Sequence, residues 1–229
     1  MPATMIHLAV AHALALKAEC EGSGEFYVGS LAPDAVYLRP GMCRDDKRRT
    51  HLYSCHEDGT KPWIDRDRIR RLLFRHWAAG EETAFAEGYA VHVLTDAMWH
   101  DEVILPYRER VRGDGRWDEM PALYYRDCDA VDVELYFCYP WRPEVWAAMR
   151  RCRPHAFDGL VGSGEVAGWR ERALGRLEAE SSPADLWPLY LEAPEAAAFA
   201  KRAAYGIGRV LETWRGQFRA SSDNKEATA

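Results

Sequence analysis

The sequence predicts an all-α fold, a single compact multi-helix domain, and three observations carry that reading. Apolar residues recur at helical spacing in several separate segments. Alternating β-branched runs are scarce, and Ala, Leu, Arg and Glu dominate instead. Pro143 and Pro194 each open such a segment, in the first turn, where a missing N–H costs nothing. The domain is expected over residues 1–220, with the small, polar residues 221–229 as a disordered tail.

The elements follow in order. Thr4 suits the N-cap of a helix of about four turns that ends near Cys20. Residues 21–63 lack periodicity and are rich in Gly, Pro and Asp, which predicts a long loop region with short helical pieces. Phe26, Tyr27, Val28, Leu31 and Val36 argue that this region is ordered. Ile69, Leu72, Leu73, Phe74 and Trp77 form the apolar stripe of a helix over 65–79. A longer helix is expected over 81–102, stopped before Pro106. Further helices are expected over 120–139, 143–152, 165–180 and 194–218.

Composition excludes several classes. The 229 residues are 48% hydrophobic, which is enough to build a core and argues against wholesale disorder. The 36 acidic and 30 basic side chains leave a net charge of -6, no field for capturing nucleic acid. No apolar stretch is long enough to span a membrane. No basic residue precedes Lys17, and His7 and His12 interrupt the first apolar run, so no secretory signal is expected. Six scattered cysteines without a C-x-x-C pair suggest neither a zinc ribbon nor a disulfide scaffold. A cytoplasmic protein with free thiols is expected.

The sharpest chemical signal is GYAVHVLTDAMWH, residues 88–100. His92, Asp96 and His100 stand at i, i+4 and i+8, on one helix face and about 6 Å apart per step. Two imidazoles and a carboxylate in this arrangement can chelate one metal or bridge two. Equally, His92 and Asp96 can form a buried hydrogen-bonded pair. Val91, Leu94, Thr95, Ala97 and Met98 make the helix apolar around much of its circumference, which buries the polar stripe. A buried His-Asp-His face must be satisfied by something, and a metal does so with ionised Asp and neutral His.

Three further elements accompany it. His7 sits among Ile6, Leu8 and Val10 on the first helix, where it is either a core residue or a ligand. His12 lies roughly 140° further around, so only one of the two can face a shared site. The segment FYVGSLAPD, residues 26–34, brings Asp34 behind Pro33 on a turn. His51 follows the basic run 44–49, either a solvated loop or a source of cations for a phosphate.

In this order, the four elements resemble the zinc-dependent phospholipase C superfamily, which includes the fungal single-strand-specific zinc nucleases. The match is an early-helix His (His7), a Gly29-Ser30-Leu31-Ala32-Pro33-Asp34 turn, His51, and Gly88-Tyr89-x-x-His92-x-x-x-Asp96. The resemblance covers roughly residues 5–105 and an all-helical remainder. It implies His51 and His92 as terminal ligands of one zinc, Asp96 as a bridging carboxylate, and His7 as a ligand of a neighbouring zinc. Asp34 is implied as a ligand or as the acceptor of the attacking water's proton, and His100 as a ligand of another zinc.

The chain also departs from the pattern. Asp96 and His100 are only four residues apart, closer than in the family. A chain that starts Met1-Pro2 is expected to lack the family's N-terminal Trp ligand. The later His-carboxylate pair of the third zinc is missing; Asp132, in the acidic group Asp127, Asp129, Asp132 and Glu134, is the preferred substitute. One or two zinc ions are therefore expected, with other divalent transition metals compatible.

The expected function is metal-dependent hydrolysis of a small phosphate ester, most readily a phosphodiester, with Asp34 as the catalytic carboxylate. Two zinc ions against Asp34 and Asp96 leave about two positive charges, which suits an anionic substrate. Tyr27, Tyr53, Trp63 and Trp99 are core residues or pocket linings. Two other readings stand beside this one. An HD-type phosphohydrolase would use the His100-Asp101 dyad, His51 or His56, and a later Asp such as Asp132. A non-catalytic, metal-stabilised helical protein would have a closed site and no cleft.

Overall fold

The computed structural model describes residues 3–16, 23–54, 63–180 and 187–226, the last four of these by backbone alone. Ten α-helices appear among them: α1 (Thr4–Ala15), α2 (Gly24–Gly29), α3 (Arg44–Thr50), α4 (Arg66–Ala79), α5 (Thr83–Trp99), α6 (Leu105–Gly113), α7 (Met120–Cys138), α8 (Arg142–Arg151), α9 (Ser163–Glu178) and α10 (Ala193–Glu226). The strands among the described residues, β1 (Tyr53–Ser54) and β2 (Trp63–Ile64), form one antiparallel pair. The predicted all-α class holds. None of the described helices is long and apolar enough to cross a membrane.

The central helix is α5, buried from Phe85 to Asp96 and apolar on nearly every side. It packs against α1, α2, α4 and α10. Two glycines allow α2 to approach it closely. A Cβ on Gly29 would lie 2.3 Å from the Phe85 carbonyl oxygen, and one on Gly88 would lie 2.1 Å from that of Phe26. The backbones of α2 and α5 therefore touch without intervening side chains.

The first helix differs from expectation at its start. Thr4 is the first helical residue, and Ala3, at the cap position, offers no side-chain bond. The cap comes from another helix: the Met5 N–H donates to the Asp132 carboxylate of α7 at 2.6 Å. The described part of α1 ends at Ala15; Cys20 lies outside the described residues.

The aperiodic stretch does hold short helical pieces. It contains α2, a 3-10 turn over Ala32–Leu38, and α3, followed by the small β pair. Asp65 caps α4, accepting from the N–H groups of Asp67 and Arg68. Gly80, at φ +69°, ends it.

Pro106 does not close the helical run. After Trp99 the chain makes a π-helical turn over His100–Ile104 and continues into α6, with Pro106 in its first turn. At the other end, α10 runs through Ser221 to Glu226, and the hydroxyls of Ser221 and Ser222 donate to the Phe218 carbonyl. Residues 227–229 of the expected tail lie outside the described residues.

Candidate metal centre

Four elements bring five ligand-type side chains together. His7 comes from α1, Asp34 from the 3-10 turn, His51 from the C-cap of α3, and His92 and Asp96 from successive turns of α5. The three histidines are 0–1% exposed and the two carboxylates 6–7%, so the carboxylates form the edge nearest solvent.

Local structure fixes each ring. The close α2–α5 approach sets the Ser30 carbonyl 2.8 Å from His92 Nδ1. A carbonyl can only accept, so Nδ1 carries the proton and the His92 Nε2 lone pair is free. His51 Nδ1 lies 3.1 Å from the Lys47 carbonyl, so this nitrogen too carries a proton. The Tyr89 hydroxyl donates to the Thr50 carbonyl and ties the end of α3 to α5. Arg39, just past the 3-10 turn, grips Asp46 of α3 and Glu165 of α9, each at 2.7 Å. The Asp34- and His51-bearing elements are thereby joined.

The distances have a pattern. His51 Nε2 lies 3.2 Å from Asp34 Oδ1 and 3.5 Å from Asp96 Oδ2. His92 Nε2 lies 3.9 Å from each of the same two oxygens. The other Asp96 oxygen, Oδ1, is 3.6 Å from His7 Nε2. Zinc bonds of about 2.0–2.1 Å in a tetrahedron give ligand separations of about 3.3–3.5 Å. The ligand atoms of Asp34, His51 and His92 lie within 4.8 Å of one another, and so do those of His7, His92 and Asp96, so His92 is common to two adjacent groups of three. The His7 and His92 rings stack at 3.8 Å, 5° from parallel.

The electrostatics suit a cation. Burial pushes the His7 imidazolium well below its ordinary range and lowers that of His92, so both rings are neutral. Burial alone would raise the Asp34 carboxyl, but the hydrogen bond with His51 Nε2, 3.2 Å away, holds it below the usual carboxylate range. Neutral imidazole and ionised carboxylate are the forms that ligate metals. Both His7 ring nitrogens, His92 Nε2 and Asp96 Oδ1 are buried without a hydrogen-bond partner. Orphaned polar atoms in a dry interior are costly. Ligation of zinc satisfies them, and the donor set of imidazoles and carboxylates fits it.

Two expected site residues lie elsewhere. His100 is half-exposed, and its Nδ1 meets Asp101 at 2.9 Å. Eight residues of helix rotate about 80° past two full turns, and His100 also begins the π-helical turn, so it leaves the face of His92. Asp132 is buried, but its oxygens are occupied by the Met5 N–H and by Arg176 at 2.8 Å. It supports the helix that bears His7. The His100-Asp101 dyad of the HD-type reading is this same surface pair, and His56 lies outside the described residues.

Neighbouring residues sort as follows. Of the two α1 histidines, His7 faces the cluster, whereas His12 stacks on Trp141 and meets the Tyr27 hydroxyl. Tyr27 and Trp99 are core residues; Tyr53 is half-buried and Trp63 exposed. Burial and the Asp96 charge push the Tyr53 phenol up to about 12. Burial, Asp34, Tyr125 and Asp96 act the same way on Tyr37. Sequence reading singled out neither Tyr37 nor Arg39, which lie in a short 3-10 segment and just beyond it, with no periodic signal to mark them. The basic run forms α3, where Arg48 pairs with Asp45 and the Lys47 ammonium sits over the Tyr37 ring.

No curated protein and no solved structure matches the chain significantly. A family profile does: that of zinc-dependent phospholipase C, over residues 1–142 of the 229. The matched span contains all five clustered residues and every element that carries one. The chain therefore belongs to the zinc-dependent phospholipase C family, with zinc as its cofactor and metal-dependent phosphodiester hydrolysis as its broad class of chemistry.

Proposed function

We propose that the protein hydrolyses a small phosphate ester, a phosphodiester first of all, at the cluster of His7, Asp34, His51, His92 and Asp96. The observation that carries this reading is the set of buried, unpartnered ring nitrogens and carboxylate oxygen around two adjacent positions. His51, His92, Asp34 and Asp96 would hold one zinc; His7 and the other Asp96 oxygen would face a second. When bound, zinc supplies a water of lowered pKa and withdraws charge from the phosphoryl oxygens.

The chain's own residues do the rest. Ser30 and Lys47 carbonyls hold the His92 and His51 rings in the ligating tautomer. Asp34, at the solvent-side edge and ionised, accepts the proton of the attacking water through the oxygen turned away from His51. Tyr37 and Tyr53 stay protonated beside Asp34 and Asp96, and their hydroxyls can donate to phosphate oxygens. Residues 1–220 would act as one hydrolase unit, in a cytoplasmic setting that suits the free thiols of Cys128 and Cys152.

The test is hydrolysis of bis(p-nitrophenyl) phosphate by the zinc-loaded protein. Asp34→Asn should lower turnover by about 10²–10⁴ while most of the zinc is retained. Full activity in that variant would remove Asp34 from the chemistry. Full zinc loading with no turnover of any phosphodiester or phosphomonoester would leave a metal-stabilised, non-catalytic protein.

A further inference from the structure

A second concave site lies away from the metal cluster. It is a cavity of about 640 Å³ between α4 and the C-terminal end of α10, and none of the five clustered residues lines it. That volume falls within the roughly 300–1,000 Å³ common for small-molecule sites.

Its chemistry is two-sided. Arg68, Arg71 and Arg75 line it from one face of α4, at i, i+3 and i+7. Asp158 is the single carboxylate among the described lining residues. It pairs with Arg75 at 2.8 Å. Arg68 donates to the Tyr53 carbonyl, which is neutral and leaves the guanidinium charge uncompensated. Arg71 is exposed and feels Asp65, whose carboxylate is occupied by the Ser54 hydroxyl and the α4 N-terminal amides. Among the described lining residues three cations stand against one anion, in a chain whose net charge is -6. Beneath them the surface is apolar: Leu72, Phe74, Leu160 and Phe218 form it, with Leu52 at the end nearest His51.

A free inorganic anion would satisfy the arginines and leave the floor wet. A neutral apolar ligand would desolvate the arginines without pairing them. The combination selects a molecule with both parts. We propose that this cavity is a second ligand site, which takes a single-chain amphiphile with a phosphate or carboxylate head, the head on Arg68 and Arg71 and the chain on Phe74 and Phe218.

Isothermal titration of the zinc-loaded protein with octyl phosphate and with octanoate, both below micellar concentration, tests this. At least one should bind, one molecule per chain. Arg71→Gln should raise its Kd about tenfold or more, the loss of one charge-assisted hydrogen bond. Phe218→Ala should weaken binding as well. Inorganic phosphate and octyl glucoside, which carry the head or the chain alone, should each bind at least tenfold more weakly. Arg71 is exposed, so the variant should keep its zinc content and melting temperature. Binding that survives Arg71→Gln but vanishes when a chelator removes the zinc would place the amphiphile at the metal centre and overturn the proposal. Equal binding of octyl glucoside would also overturn it, and so would binding of neither anionic amphiphile. No arm measures hydrolysis, so the outcome is independent of the catalytic reading.

Discussion

Gly88→Ala sets two effects of known size against each other. In an unconstrained helix interior the substitution gains about 1 kcal/mol of helix propensity. Here the new methyl carbon would stand 2.1 Å from the Phe26 carbonyl oxygen, 2.9 Å from Ser30 N and 3.0 Å from the Phe26 carbonyl carbon. Carbon and oxygen come no closer than about 3.3 Å even in favourable contacts. The obstacle is backbone, so α2 must retreat by roughly 1 Å, and overpacking of this kind costs about 1–3 kcal/mol. The upper end applies, because no side chain can swing aside. The net loss is then about 1–2 kcal/mol, or roughly 2–8 °C in Tm for a chain of this length. The same retreat stretches the 2.8 Å bond from His92 Nδ1 to the Ser30 carbonyl beyond hydrogen-bonding range. Loss of such an outer partner weakens metal binding about 10–100-fold. Thermal melts and competitive zinc titration read both effects. Gly175→Ala is the control: its methyl meets nothing within 4 Å, and it should stabilise by up to about 1 kcal/mol. If Gly88→Ala also stabilises and binds zinc as before, the close approach of α2 and α5 does not set the site.

Three other outcomes are expected. His92→Ala should lose at least one zinc per chain by elemental analysis and forfeit the ligand stabilisation, about 2.7 kcal/mol when zinc stands at a hundred times its Kd; unchanged zinc content would exclude the cluster as the metal site. Arg39→Lys cannot reproduce the fork that spans Glu165, Asp46 and the Leu160 carbonyl, so it should cost about 1–2 kcal/mol and weaken zinc binding about tenfold; a stability loss with zinc affinity intact would show that Arg39 does not position Asp34 and His51. Burial pushes the Asp132 carboxyl up to about 6 against the pull of Arg176 and the Met5 N–H. A folded-state value above the unfolded one, about 3.9, means that its contribution is complete below about pH 4 and is lost as pH rises through 6; Asp132→Asn should flatten that part of the stability curve in urea melts of chelator-treated protein, and an unaltered slope would assign it to other groups.

The parts of the site that sequence made legible are those with a period. His92 and Asp96 are one turn apart on a helix apolar all round, and the structure holds Nε2 and Oδ2 3.9 Å apart. The same rule misplaced His100, because a third turn of a 3.6-residue helix has already rotated away and the π turn begins there. Periodicity could not choose between His7 and His12; the packing of α1 on α5 does, by stacking His7 on His92. Asp34 and His51 stand in the aperiodic stretch, where only their order along the chain marked them. Capping signals misled at Thr4, since the α1 N-terminus is capped across the fold by Asp132, a contact between residues 127 apart in sequence. Pro106 reads in sequence as a stop, because the π turn that accommodates it has no sequence signature of its own.

These features meet in one energetic problem. The fold gathers two carboxylates and three imidazoles where water scarcely reaches, and the ion-pair partners of Asp34 and Asp96 within the cluster are those same histidines. Two of the rings, His7 and His92, are held neutral by burial, so they cannot cancel the carboxylate charge. Uncompensated charge in such a place costs several kcal/mol. The close α2–α5 contact, the Arg39 fork and the Asp132 cap hold this arrangement against its own repulsion. One divalent cation neutralises two carboxylates; a second gives the centre about two positive charges, at the edge where Asp34 and Asp96 meet solvent. The repulsion among these groups and, in the proposed reaction, the attraction of the metal-bearing centre for a phosphate ester have one origin, the burial of these five side chains.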